Sequence, residues 1–266
     1  MSPYLPKKRL GQHFLQSDQV INDILILLAP KKTDSIIEVG PGQGALTLPL
    51  ARSGANIVAV EFDRDIIASL KKKLSAYSNV LLLNQDFLKF NPDNVGITRF
   101  KLVGNLPYNI TSPVLEWIMS HHHMITEAIF MMQMEVARRL CSNPGCRDWS
   151  PVSIFTQMGF DATLCFEVPP HHFQPPPKVT SAVIQLTHKD MREISGPLLF
   201  EIVVRTSFRH RRKLLVNNLV PDLLPDASLA RSVLKQAGLP ERCRAEQLTI
   251  DDFLTLTDVI AEITMN

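Results

Sequence analysis

Apolar and polar positions change rhythm along the chain, and the rhythm predicts most of its elements. Between residues 18 and 28, Val20, Ile21, Ile24, Leu25, Leu27 and Leu28 recur at helical spacing. Ser17 or Asp18 can cap that helix and Pro30 closes it. The short apolar run 35–39 then reads as a buried strand, followed by a helix over 45–53. Strands over 56–61 and 79–84 flank a helix over 63–76 that ends in Lys71, Lys72 and Lys73, cations suited to a helix C-terminus. A strand over 100–104, a helix from Thr111 or Ser112 to about residue 120, a strand over 127–132 and the start of a helix at 135–140 continue the alternation. Strands alternating with helices of this length predict an α/β fold with a parallel sheet covered on both faces.

The rhythm then breaks. Runs 163–168 and 179–187 read as strands with no obvious helix between them, which predicts an antiparallel edge. Beyond about residue 190 the pattern is helical throughout, over 198–208, 213–219, 228–236 and 249–263. Two domains are expected, 1–190 carrying the sheet with a basic N-terminal extension and 191–266 a small all-helical domain.

Composition narrows this little. The 266 residues are 45% hydrophobic and 20% charged, ordinary for a globular protein. No apolar run approaches the roughly 18 residues a membrane span needs. The N-terminus lacks the apolar core of a signal peptide, so a cytoplasmic enzyme without a membrane partner is expected. Cys141 and Cys146 stand five apart with no second pair, which predicts reduced, structural cysteines. Adjacent His121, His122 and His123 cannot all face one ion, so a solvated turn is expected and no metal site. Net charge is only +2, but its distribution is uneven. Lys7, Lys8 and Arg9 have no acid nearby, and Arg205, Arg209, Arg211, Arg212 and Lys213 fall within nine residues with no acid among them. Such clusters suit a polyanion or, equally, a solvated helix face.

Candidate chemistry collects at the predicted strand ends. Gly40, Gly42 and Gly44 follow the first strand, forming the glycine turn of a nucleotide-binding corner. Gly40, Gly42 and Ala45 also satisfy a dinucleotide fingerprint, which keeps a nicotinamide-dependent oxidoreductase in view. Glu38, Glu61 and Asp86 stand at the ends of the first three strands. Glu61 is placed to accept both hydroxyls of a ribose, and Asp86 an adenine amino group. A carboxylate at position 38 would repel a phosphate and favour a ligand bearing ammonium and sulfonium groups. S-adenosylmethionine has both.

The fourth strand runs into Asn105, Leu106, Pro107 and Tyr108. This amide, rigid turn and aromatic form a socket for a flat heteroaromatic amine. The Asn105 oxygen and the Leu106 carbonyl can accept the two amine hydrogens, and Tyr108 can stack on the ring. Pro107 fixes the turn. A base taken from nucleic acid must first be swung out, and Phe173 in the proline-rich turn is a candidate second stacking face.

Five segments then occur in a telling order: Gly11-Gln12-His13-Phe14-Leu15, Glu38-Val39-Gly40-Pro41-Gly42, Asn105-Leu106-Pro107-Tyr108, Phe173-Gln174-Pro175-Pro176-Pro177-Lys178-Val179-x-Ser181 and Phe208-x-x-Arg211-Arg212-Lys213-x-Leu215. Together they resemble the bacterial small-subunit ribosomal RNA adenine dimethyltransferases over nearly the whole chain. The resemblance implies a Rossmann-like methyltransferase sheet with a small helical C-terminal domain. It also implies S-adenosylmethionine as donor and, as target, two adjacent adenosines in a hairpin loop near the 3′ end of 16S rRNA. It places cofactor contacts at His13, Leu15, Gly40, Glu61, Asp86 and Asn105, to which the glycine turn adds Gly42. Position 13 is Asn in some members and His here. Lys7, Lys8, Arg9, Arg209, Arg211, Arg212 and Lys213 are the expected RNA contacts, and a monomer acting in small-subunit biogenesis is expected. The 23S rRNA methylases of macrolide resistance share the fold and an Asn-x-Pro-aromatic motif. A non-catalytic RNA-binding assembly protein is the other alternative.

Overall fold

The computed structural model describes residues 12–107, 110–191, 194 and 196–264. The chain divides into two compact units, Met1–Ala137 with Phe160–Lys189, and Arg138–Gly159 with Asp190–Asn266.

In chain order the elements are β1 (Phe14–Leu15), α1 (Asp18–Leu28), β2 (Ser35–Val39), α2 (Thr47–Ser53), β3 (Asn56–Glu61), α3 (Arg64–Lys73), β4 (Val80–Asn84), β5 (Phe100–Asn105), α4 (Thr111–Ser120), β6 (Ile125–Gln133) and α5 (Met134–Leu140). There follow α6 (Pro151–Gly159), β7 (Phe160–Val168), β8 (Phe173–Gln174), β9 (Ser181–His188), α7 (Pro197–Ser207), α8 (Leu215–Leu219), α9 (Ala227–Gln236) and α10 (Ile250–Thr264).

The first unit is built on a seven-stranded sheet of order β4-β3-β2-β5-β6-β9-β7. The first five strands in that order pair in parallel, and β9 pairs antiparallel with both β6 and β7. The chain thus passes from β6 to the sheet edge and comes back to insert β9 between them. Burial explains the choice. Ala182, Val183, Ile184 and Leu186 of β9 are buried on both faces, as a central strand requires, while β7 alternates and is half-exposed. Ser17 caps α1 through its side-chain oxygen, and Val20, Ile24 and Leu28 of that helix join Leu50 of α2 over Ile36, Ile57, Val103 and Ile129. Trp117 of α4 packs against Phe87, Phe90 and Phe100 and donates its indole N–H to the Phe90 carbonyl at 3.0 Å.

One glycine sets how closely the central strands meet. A Cβ on Gly104 would lie 2.7 Å from the Val39 carbonyl oxygen, so only glycine lets the end of β5 sit beside the end of β2.

The second unit has its own core, in which Trp149, Ile154, Phe200, Leu215, Leu234 and Phe253 are buried together. The Trp149 indole N–H donates to the Leu248 carbonyl at 2.9 Å. Helix α6, with proline at its first position, was not evident from the pattern, and residues 138–159 group with the C-terminal helices instead of with the sheet. A single cut near residue 190 is therefore incomplete. The histidine run is also more packed than a solvated turn: His121 stacks on Trp117 at 4.1 Å and His122 on His188 at 6.1 Å between ring centroids.

Candidate active site

The C-terminal ends of β2, β3, β4 and β5 converge on a cavity of about 320 Å³. Its walls include Gly40 and Gly42 after β2, Glu61 and Phe62 at the end of β3, Asp86 and Leu88 after β4, and Asn105 to Pro107 after β5. Gln12, His13 and Phe14 close another side. Strand direction and register put these residues together, since parallel strands end at one edge and ligands of open α/β sheets bind there.

The glycine turn follows its expected geometry. Gly40 and Gly42 have φ of +64° and +55°, the left-handed region that favours glycine. A Cβ on Gly40 would meet nothing within 4 Å, so a ligand has room against that backbone, whereas one on Gly42 would press on the Phe14 ring at 3.2 Å.

Glu61 is anchored by main chain. Its Oε2 accepts from the Gly42 N–H at 3.1 Å and its Oε1 from the Asp63 N–H at 2.8 Å. Burial raises its pKa and the Asp63 carboxylate adds to this, while the Asp63 and Gly42 N–H groups pull it back. Asp86 caps a short 3-10 turn over Phe87–Lys89, its Oδ1 accepting from the Leu88 N–H at 3.0 Å. Both carboxyls are thus held by local backbone at strand ends, and Val60, Phe62, Ile66, Phe87 and Leu88 supply an apolar lining beside them.

Asn105 donates an Nδ2 hydrogen to the His13 carbonyl at 2.9 Å. The Leu106 N–H donates to the Met131 carbonyl at 2.9 Å, and the Pro107 carbonyl accepts from the Ile110 N–H at 3.1 Å.

Several expectations change. Glu38 does not line the cavity. It shares a strand face with Ile36 and points under α2, 2% exposed, and burial lifts its pKa to about 8. The nearby Thr47 hydroxyl offsets part of that cost and the Glu61 charge adds to it, yet Glu38 Oε2 and Thr47 Oγ1 make no hydrogen bond of acceptable geometry among the described residues. A carboxyl that is mostly protonated at pH 7 repels no phosphate, so the charge argument drawn from Glu38 falls. Phe173 is 3% exposed in the core with Leu15, Val168 and Val183, not in the cavity wall, so its ring offers no stacking face there. The Leu15 side chain also belongs to that core. Both are drawn inward by the pairing of β1 with β8, where Leu15 faces Phe173.

The basic motif in the second unit splits in two. Arg209 pairs with Asp222, and Arg211 donates to the Arg147 and Trp149 carbonyls, the latter at 3.0 Å. Arg212 and Lys213 are exposed, with no carboxylate among the described residues in ion-pair range. Arg205, for its part, pairs with Glu201 at 2.7 Å. Lys7, Lys8, Arg9 and Tyr108 lie outside the described residues. Sequence reasoning missed Gln12, Phe14, Phe62, Phe87, Leu88 and Ile110 as lining residues. Those next to Glu61 and Asp86 were within reach, because a residue following a strand-end acid shares its edge.

The sequence model of the family described as Ribosomal RNA adenine dimethylase matches residues 5–262. The chain belongs to the ribosomal RNA adenine dimethylase family. Among its relatives is "Ribosomal RNA small subunit methyltransferase A" of Francisella tularensis subsp. novicida, 39% identical over 259 residues, 96% of this chain and 97% of the relative. Its fold is similar to the crystal structure of a dimethyladenosine transferase from Plasmodium falciparum, with TM-score 0.78 and 25% identity over 92% of this chain and 96% of that one. It is also similar to 23S rRNA methyltransferase ErmE, with TM-score 0.74 and 26% identity over 93% and 99%. This dimethylase is thus a Rossmann-like methyltransferase, and S-adenosylmethionine is its methyl donor. The residues present fit that donor: the backbone-anchored Glu61 carboxyl would be open to ribose hydroxyls, apolar Phe62 and Leu88 would flank adenine, and there is open space at Gly40.

Proposed function

We propose that this dimethylase transfers methyl groups to the exocyclic amines of two adjacent adenosines in a hairpin loop near the 3′ end of 16S rRNA, within the small ribosomal subunit. The observation that carries the chemical part is the Asn105 amide, turned by its hydrogen bond to His13 so that Oδ1 is the end left for an incoming amine. When bound, S-adenosylmethionine would supply an electrophilic methyl carbon to the amine lone pair, its sulfur keeping the electron pair of the bond given up.

The chain's own residues prepare that amine. Adenine's amine is a poor nucleophile because its lone pair is delocalised into the ring. Asn105 Oδ1 and the Leu106 carbonyl accept its two hydrogens, which favours a pyramidal nitrogen with the lone pair aimed at the donor. Glu61 and Asp86 hold the donor's ribose and adenine ends, and the rigid Leu106–Pro107 turn keeps the acceptor in register. The extra proton leaves from an ammonium-like product, so no strong base is needed, and positioning carries most of the rate.

For RNA, Arg212 and Lys213 are the available cations of the basic motif, while Arg209 and Arg211 brace the loop. Lys7, Lys8 and Arg9 are assigned the same role. The sheet-bearing unit is the catalytic one and the helical unit a substrate-docking one. No helix of the described residues is long and apolar enough to cross a membrane. We place the enzyme in the cytoplasm, acting as a monomer in small-subunit biogenesis. The small-subunit relative, at 39% identity, favours this target over the large-subunit one of the ErmE type, at 26%.

The test is to incubate the protein with labelled S-adenosylmethionine and small subunits lacking the modification, then map the labelled bases. Label on two adjacent adenosines near the 16S 3′ end is expected, and label on large-subunit RNA or none overturns the proposal. Asn105→Ala should keep the fold while methyl transfer falls about 100-fold or more.

A further inference from the structure

The cavity wall contributed by residues 12–14 is fastened to the proline-rich turn in three ways. Phe14 and Leu15 pair antiparallel with Gln174 and Phe173. The Gln16 N–H donates to the His172 carbonyl at 2.9 Å. His13 Nδ1 lies 2.7 Å from the Pro175 carbonyl oxygen. A carbonyl only accepts, so Nδ1 carries the proton and donates, which sets the ring's tautomer when it is neutral.

His13 has a second link, through its backbone. Its carbonyl accepts the Asn105 Nδ2 hydrogen at 2.9 Å, across 92 positions of sequence. An asparagine amide turned by half a circle exchanges oxygen for NH₂ with almost no change of shape. In the turned state it would present a donor to an amine that is itself a donor. What prevents this is the acceptor placed on its nitrogen side.

We infer that His13 is a positioning residue for Asn105, its ring bond to the Pro175 carbonyl holding the peptide whose carbonyl orients the Asn105 amide. A chain of two hydrogen bonds, Asn105 to the His13 carbonyl and the His13 ring to the Pro175 carbonyl, couples the turn before β9 to the acceptor end of the cavity. This is a task distinct from lining the donor cavity, which His13 also does. The inference rests on the proposed role of Asn105 and specifies what keeps that amide in its working orientation.

The test combines His13→Ala, His13→Asn, Asn105→Ala and the His13→Ala/Asn105→Ala double variant. Donor affinity is measured with labelled S-adenosylmethionine. Single-turnover methyl transfer is measured at saturating donor and saturating unmethylated small subunits, after thermal unfolding shows each variant folded. His13→Ala should lower the single-turnover rate about tenfold, the scale on which a small misplacement acts. His13 also lines the donor cavity, so donor affinity falls as well, but the rate loss persists at saturating donor. His13→Asn, whose amide nitrogen stands where the imidazole Nδ1 does, should recover most of the rate. The double variant should be no slower than Asn105→Ala alone, because an unneeded support has nothing left to hold.

A His13→Ala effect confined to donor affinity, or rate losses that multiply in the double variant, would overturn the inference. So would a His13→Asn variant as slow as His13→Ala. Should alanine at 13 fail to fold, His13→Leu fills similar space without a donor and is judged by the same outcomes. Wild-type transfer in Asn105→Ala would instead remove the role of Asn105, and the positioning role with it. That result is distinguishable from the others because it appears in the single Asn105 variant.

Discussion

Glu38 and Glu61 are the same side chain at the ends of neighbouring parallel strands, both nearly inaccessible to water, and they have opposite fates. Glu61 receives two backbone N–H groups and lines the cavity. Glu38 receives none among the described residues, sits under α2 beside the Thr47 hydroxyl, and is lifted to a pKa of about 8. Burial alone raises a carboxyl's pKa; donors aimed at it decide whether it keeps a usable charge. The strand end decides the donors. The main chain turns around Glu61 and offers its own N–H groups, whereas the Glu38 side chain leaves one residue earlier, into the layer between sheet and helix.

That contrast can be broken most strongly at Glu61. Glu61→Gln replaces an acceptor by an NH₂ group facing a backbone N–H and removes the charge offered to the ribose. Donor affinity should fall about 100-fold, on the scale of charged hydrogen bonds, as read by equilibrium binding. Unaltered affinity would leave Glu61 a structural acid like its neighbour.

Glu38→Gln should do the reverse, and its sign follows from proton linkage. A carboxyl whose folded pKa of about 8 lies above its ordinary 4.5 holds its proton more tightly when folded. Its contribution to stability is complete below pH 4.5 and is lost as pH rises through about 8. The glutamine variant has no such loss, so at pH 9 it should be the more stable protein by on the order of 5 kcal/mol in chemical unfolding, with the gap closing in acid. A gap independent of pH would show that Glu38 is charged in the fold.

A smaller effect separates the two acids by pH. Glu61 must be ionised to accept both hydroxyls fully, and its pKa is raised by burial. Donor affinity should therefore weaken as pH falls through that raised value, by up to about tenfold per pH unit below it. The same titration in Glu61→Gln should be flat on the acid side, and in Glu38→Gln should keep the wild-type limb.

Much of this was legible in the chain. The 3.6-residue period of Val20, Ile24 and Leu28 and the apolar runs of β2 and β3 announced the alternating elements. Short-range chemistry did the same for the glycine turn and the strand-end acids. What failed to show were elements without a period of their own. Strands β1 and β8 have two residues each and exist only because they pair with each other, and α6 belongs to a core assembled from residues far along the chain.

The residues themselves determined the alternation of strands and helices from β2 to β6, the family, and the edge at which the site lies, because periodicity and turn chemistry are local. Only the tertiary structure decided which strand-end acid receives backbone donors, that Phe173 is core, and that Asn105 is oriented by a carbonyl 92 positions away. Direction of a side chain, donors aimed at it and access to water are set by which segments meet. No local pattern records that meeting.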